Sequence, residues 1–132
     1  MNSIKFHFMA KLYFYYSSMN AGKSTALLQA NHNYIERGMN TMIFTSENDQ
    51  RFNVNEINSR IGLSAKSNIF NNKTNFILNL KKSLKHEEIH CVLVDEAQFL
   101  TKKHVQELSS IVDELNIPVL TYGIRTDFRG DL

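Results

Sequence analysis

Leu12-Tyr13-Phe14-Tyr15-Tyr16-Ser17-Ser18-Met19-Asn20-Ala21-Gly22-Lys23-Ser24-Thr25 divides into three pieces, and their order decides the fold. Residues 12–16 are an unbroken aromatic and aliphatic run, the pattern of a buried strand. Ser17 to Gly22 are small or polar and make a loop. From Lys23 to residue 37 the sequence reads as a helix, with Leu27, Leu28, Tyr34 and Ile35 as its main apolar residues and Gly38 placed to end it. The loop follows G-x-x-x-x-G-K-[ST], with Ser17 standing where the first glycine would be. Each position has a physical task. Backbone N–H groups of the loop and helix start point at phosphate oxygens. Gly22 lets the backbone approach without a Cβ. Lys23 sets a cation against the β- and γ-phosphates, Ser24 offers a hydroxyl to Mg²⁺, and Thr25 lies next to it. The competing explanation is a plain helix N-terminus. The strand–loop–helix context favours the phosphate loop and hence ATP as ligand.

Working outward, Val92-Leu93-Val94-Asp95-Glu96 is the clearest buried strand, starting at residue 90 and running into two carboxylates. An Asp in this place holds Mg²⁺, directly or through water. A neighbouring Glu can take a proton from an attacking hydroxyl. Alternation along a strand assigns Asp95 and Glu96 different roles. Residues 41–45 and 117–122 read as further strands and 68–70 as a short one. Residues 74–85 form an amphipathic helix through Phe76, Ile77, Leu80 and Leu84. Residues 101–115 form another, with Val105, Leu108, Val112 and Leu115 as its stripe and Thr101 as N-cap. Residues 46–66 are rich in Asn and Ser and read as a loop with a possible turn near 54–59. Strands alternating with helices imply an α/β P-loop NTPase domain. Its parallel sheet of about five strands carries helices on both faces, and ligands sit at the carboxyl ends of the strands.

Composition sets the frame around these motifs. The chain has 132 residues, 42% hydrophobic and 21% charged, which suits one domain with a real core. Fifteen basic against 13 acidic residues give a net charge of +2, so no charge excess points to a nucleic-acid polymer or an anionic membrane. No apolar run reaches membrane-spanning length. Residues 1–9 lack an apolar h-region and a cleavage site. They read as an N-terminal extension with Met9 as a second start codon, and the expected compartment is the cytoplasm. One cysteine, Cys91, excludes an internal disulfide and a four-cysteine zinc site within the chain; inside a buried strand it reads as an inert core thiol.

Three other groups are candidates. Asp49 and Arg51 follow the second strand, where Arg51 is placed either to reach a phosphate or to sit in a solvated loop pair. Arg125 and Arg129 close the last strand. His86-Glu87-Glu88-Ile89-His90 matches H-E-x-x-H, but that zinc chemistry needs both imidazoles on one continuous helix, and this match straddles a helix end and a strand start.

Taken together, residues 12–25, Ser59-Arg60-Ile61-Gly62-Leu63-Ser64, His90-Cys91-Val92-Leu93-Val94-Asp95-Glu96-Ala97-Gln98-Phe99-Leu100 and Tyr122-Gly123-Ile124-Arg125-Thr126-Asp127-Phe128-Arg129-Gly130 resemble bacterial thymidine kinase of the zinc-containing, tetrameric type. The likeness runs from about Ala10 to the end, making residues 10–132 the kinase domain, and D-E-x-Q-F joined to this loop is specific to that family. The resemblance implies transfer of the ATP γ-phosphate to the 5′-hydroxyl of thymidine, with Glu96 as general base and Asp95 and Ser24 serving Mg²⁺. It implies nucleotide contacts from Ser17, Ser18, Met19, Asn20, Ala21, Gly22, Lys23, Ser24, Thr25, Asp95, Gln98 and Arg51. Met19, Phe99, Ile124 and Phe128 match the apolar thymine pocket. Members of the family continue past the point matching Leu132 with a four-ligand zinc site and a lasso-like loop, so the expectation is a C-terminally truncated kinase without zinc. A homotetramer is implied in the same way. The alternative expectation is a non-catalytic ATP-binding remnant of such a kinase.

Overall fold

The computed structural model describes residues 10–17, 23–47, 56–58 and 64–124. In chain order these form β1 (Leu12–Ser17), α1 (Lys23–Glu36), β2 (Thr41–Ser46), β3 (Glu56–Asn58), β4 (Ser64–Lys66), β5 (Asn68–Phe70), α2 (Phe76–Leu84), β6 (Cys91–Val94), a 3₁₀ turn (Ala97–Phe99), α3 (Lys102–Ser110) continued by a π turn (Ile111–Leu115), and β7 (Val119–Ile124). Five strands make one sheet in the order β1-β7-β6-β2-β5, and every pairing in it is parallel. The α/β architecture expected from the alternating pattern is present.

Alternation along the strands builds two cores. Met42, Phe44, Val92, Val94 and Val119 face α2 and α3, where they pack with Phe76, Leu80, Leu108 and Ile111. Ile43, Cys91, Leu93 and Tyr122 face α1 and pack with Leu27 and Leu28. Helices therefore cover both faces, and β6, apolar at all four positions and wholly buried, lies at the centre. Each fully buried Leu or Phe contributes about 1.5–3 kcal/mol. Residue 38 ends α1 as expected: Gly38 has φ +78, a left-handed conformation that costs glycine nothing. Asn75 caps α2 by accepting from the Leu78 N–H, and Thr101 caps α3 by accepting from the His104 N–H.

Several expectations need correction. The strand at β1 forms, but Tyr13, Phe14, Tyr15 and Tyr16 are 40–49% exposed rather than buried. Among the described residues β1 pairs with β7 alone, so it is an edge strand and its aromatic rings cover one another on each face (Tyr13 on Tyr15, Phe14 on Tyr16). Ile35 points outward at 55% exposure. Residues 46–66 are not all loop, since β3 and β4 pair antiparallel. β7 lies two residues later than expected. Leu108 of the expected stripe is buried and Val112 and Leu115 pack against the same core, but the buried face of α3 also takes in Ile111 and two polar residues, His104 and Glu107, that the stripe left out. Both have local reasons. His104 accepts the Thr101 N–H through Nδ1, completing a capping box, and its ring meets Phe70 and Phe76 edge-on. Glu107 accepts the Phe76 N–H at 2.8 Å, placing an anion at the start of α2.

Candidate active site

Because the sheet is parallel, the ends of β1, β2, β6 and β7 share one edge, and the candidate residues Ser17, Asp95, Glu96 and Ile124 lie at these ends. β1 ends at Ser17 and α1 begins at Lys23; Ser18, Met19, Asn20, Ala21 and Gly22 lie outside the described residues. Lys23 and Ser24 occupy the first turn of α1, with Thr25 half-buried beside them. That turn carries no acidic side chain, so nothing on the helix competes with an anion for its N–H groups and positive dipole end.

β6 delivers the carboxylates. Asp95 is fully buried, continues the ladder by donating its N–H to the Phe44 carbonyl at 2.8 Å, and follows Cys91 and Leu93 in phase on the α1 side. Its Oδ1 accepts the Glu96 N–H at 2.9 Å. Glu96 then leaves the strand in a left-handed conformation, φ 58 and ψ 45. For a residue with a Cβ this costs about 1–2 kcal/mol. The bonds around it offset that cost: Asp95 holds its N–H, and its carbonyl accepts the Phe99 N–H at 3.0 Å in the 3₁₀ turn. The turn re-aims Glu96 away from the alternation of β6, and only 7% of it is exposed.

Gln98 joins this corner to β7. Its Nε2 donates to Glu96 Oε1 at 2.6 Å, and its Oε1 accepts the Ile124 N–H at 3.1 Å. β7 itself separates β1 from β6. Two strand spacings put the end of β1 and the end of β6 about 10 Å apart across the edge. Gly123 sits under this junction. A Cβ there would lie 2.9 Å from Tyr16 Cε1, 3.0 Å from Gln98 Oε1 and 3.1 Å from Ala97 Cβ. Gly123→Ala is therefore expected to displace the Gln98 side chain. A crystal structure of the variant with Gln98 still bonded to both Glu96 and Ile124 would contradict this.

The other expected residues distribute as follows. Phe99 is 39% exposed beside the turn and Ile124 is half-buried at the end of β7. Arg51, Asp49, Arg125, Phe128 and Arg129 fall outside the described residues. Cys91 is fully buried, and burial pushes its thiol up to about 12 against a smaller lowering from the Tyr34 hydroxyl, so it stays a neutral core group. Residues 86–90 form no helix. His90 instead accepts the Asn40 N–H through Nδ1, tying the start of β6 to β2. No helix among the described residues is long and apolar enough to cross a membrane. Sequence reasoning grouped Gln98 with the nucleotide contacts and did not see its bridge between Glu96 and β7. The i, i+2 spacing in D-E-A-Q-F was the available signal.

A parallel α/β sheet with a strand–loop–helix of the G-K-S-T type at one edge, and an Asp-Glu pair ending a central strand at the same edge, defines a P-loop nucleotide-binding domain. The model of the thymidine kinase family matches residues 10–132, and the chain belongs to that family. It is 57% identical over 124 residues to thymidine kinase of Shigella dysenteriae serotype 1 (strain Sd197), and equally to those of Salmonella typhimurium (strain LT2) and Escherichia coli (strain K12). In each case the match covers 94% of this chain and 60% of the relative, so the chain spans about three-fifths of the length of the proteins it matches.

Proposed function

We propose that residues 10–132 are the phosphoryl-transfer domain of a thymidine kinase, moving the ATP γ-phosphate to the 5′-hydroxyl of thymidine, with residues 1–9 as an extension. The observation that carries this reading is the corner at the end of β6. A buried Asp95 and a separately aimed Glu96 stand across β7 from the end of β1, the strand that runs into the G-K-S-T segment. Phosphoryl transfer needs an activated hydroxyl on one side and a held polyphosphate on the other.

Ser17 to Thr25 cradle the phosphates, with Lys23 countering their charge and Arg51 adding a second contact. Asp95 and Ser24 fit Mg²⁺, since a fully buried carboxylate and a hydroxyl supply the hard oxygens it takes. When bound, the ion neutralises charge on the β- and γ-phosphates. Glu96 accepts the 5′-hydroxyl proton, because its carboxylate is turned off the strand while Asp95 stays in line with it. Met19, Phe99, Ile124 and Phe128 line the apolar pocket for thymine, where a methyl-sized fit discriminates by about 1–3 kcal/mol. The setting is the cytoplasm and the assembly a homotetramer.

The test is an assay of the purified chain with Mg-ATP, with and without thymidine, in which thymidine monophosphate is measured directly. ATP consumption indifferent to thymidine would contradict the reading. Lys23→Ala is expected to weaken ATP binding about 10- to 100-fold, the worth of one charge-assisted hydrogen bond. Isothermal titration calorimetry on both proteins measures it, and an unchanged affinity would remove Lys23 from the phosphate site.

A further inference from the structure

We propose that Gln98 is a positioning residue for the general base, clamping the Glu96 carboxylate to the end of β7. The inference rests on the reading of Glu96 as that base. Its geometry is fully specified by the bonds around the amide. The Ile124 N–H can only donate, so the atom 3.1 Å from it must be the amide oxygen. That fixes the NH₂ group towards Glu96 at 2.6 Å, where it donates to Oε1. A proton acceptor is thus held by a group that can only give a hydrogen bond to it.

The residue type follows from the same bonds. The bridge needs a donor and an acceptor on one side chain, long enough to reach back two residues and across to the next strand. Glutamine has both, asparagine is one methylene short, and glutamate lacks the donor. The surroundings hold the clamp in place. The Cβ position of Gly123 lies 3.0 Å from Gln98 Oε1 and 3.1 Å from Ala97 Cβ, so the amide fills a slot that a side chain on β7 would close. Glu96 is meanwhile fixed at its backbone by Asp95 and the Phe99 N–H. With the backbone set in a left-handed turn, the clamp fixes the remaining freedom, the carboxylate torsions. Ile124, expected to touch thymine through its side chain, holds the clamp through its backbone. The acceptor pocket and the base therefore share one strand end.

The experiment compares the full chain with Gln98→Ala, Gln98→Glu, Glu96→Gln and Glu96→Gln/Gln98→Ala. It uses initial rates of thymidine monophosphate formation and ¹H–¹⁵N spectra with amide exchange. A misplaced base costs about 10- to 100-fold in kcat, with thymidine KM little changed. Gln98→Ala should show that loss together with faster exchange at the Ile124 amide. Gln98→Glu should keep Ile124 protected, because a carboxylate still accepts its N–H, yet lose kcat to the same degree. A residue that merely holds the turn would show rates tracking Ile124 protection, with Gln98→Glu active. The double variant should be no slower than Glu96→Gln alone. Wild-type kcat in Gln98→Ala alongside a dead Glu96→Gln overturns the proposal and leaves the base reading intact. Full turnover by Glu96→Gln overturns the base reading and the proposal with it. If the chain shows no thymidine-dependent turnover, the kinase reading fails for this chain while the clamp is still decided by the spectra. A Gln98 side-chain amide signal unmoved by Glu96→Gln, or an Ile124 exchange rate unmoved by Gln98→Ala, would overturn it.

Discussion

Glu96→Gln is expected to lower the rate of thymidine phosphorylation by about 10²- to 10⁴-fold, the usual worth of a positioned general base, while ATP affinity stays near that of the parent chain. The substitution is nearly isosteric and replaces the carboxylate by a neutral amide, which cannot take up the hydroxyl proton. The left-handed backbone at residue 96 is held by Asp95 Oδ1 and the Phe99 N–H, neither of which involves the side chain being changed. The amide oxygen of a glutamine at 96 can still accept from Gln98, so the corner should keep its shape. Asp95, in line with β6 and bonded through its N–H to the Phe44 carbonyl, is untouched, and with it the side of the corner proposed for Mg²⁺ and phosphate. The effect therefore belongs in kcat rather than in nucleotide binding. Paired measurements decide it: thymidine monophosphate formation for the rate and calorimetry for ATP. A rate within a factor of about three of the parent would remove Glu96 from proton transfer. A parallel loss of ATP affinity would mean that the corner had collapsed.

How much of this was legible beforehand follows from what kind of signal each residue carries. The strand and helix that flank residues 17–25, and the strand that ends at Asp95, could be placed because the motifs' residue types stand at fixed spacing between apolar runs. The central strands were legible for the same reason, since Cys91 to Val94 and Thr41 to Thr45 are apolar or β-branched throughout. β1 was misjudged because the same aromatic run describes a buried strand and an edge strand whose rings cover each other; only the pairing order, with β7 as the one described neighbour, separates them. His104 and Glu107 escaped the reading of α3 because they are polar in type, yet buried through partners far along the chain or one turn back. Periodicity in apolar residues cannot register a buried group satisfied by a tertiary hydrogen bond. β3 and β4 are three residues each, too short to show alternation. Gln98 was seen as part of a motif, and its spacing to Glu96 hinted at one half of the bridge, but the half that reaches β7 depends on Gly123 leaving room, which no local spacing shows.

Phe76→Ala is expected to destabilise the domain by about 3–5 kcal/mol, the cost of an aromatic-to-alanine truncation in a closed core. For a domain whose total stability is about 5–15 kcal/mol, that is a large share. Phe76 is fully buried at the start of α2, with ring centroids 4.8 Å from Phe44, 5.2 Å from Phe70 and 5.1 Å from His104. Phe44 and Phe70 come from neighbouring strands and His104 from α3, so the ring ties sheet, α2 and α3 together and no single neighbour can collapse into the space. The consequence extends to the site. Phe44 is one wall of this cluster, and its carbonyl accepts the Asp95 N–H that fixes the end of β6. Loosening Phe44 should therefore shorten the protection of the Asp95 amide more than that of residues in the α1-side core, such as Leu28. Phe76→Leu keeps most of the volume and should recover more than half of the lost stability, which separates a cavity effect from damage to the helix start. Urea unfolding of the three proteins gives the stabilities, and amide exchange gives the local effect. A loss below about 1 kcal/mol would show that the cluster does not brace the sheet. An Asp95 amide as protected as before would show that the core and the carboxylate corner are independent.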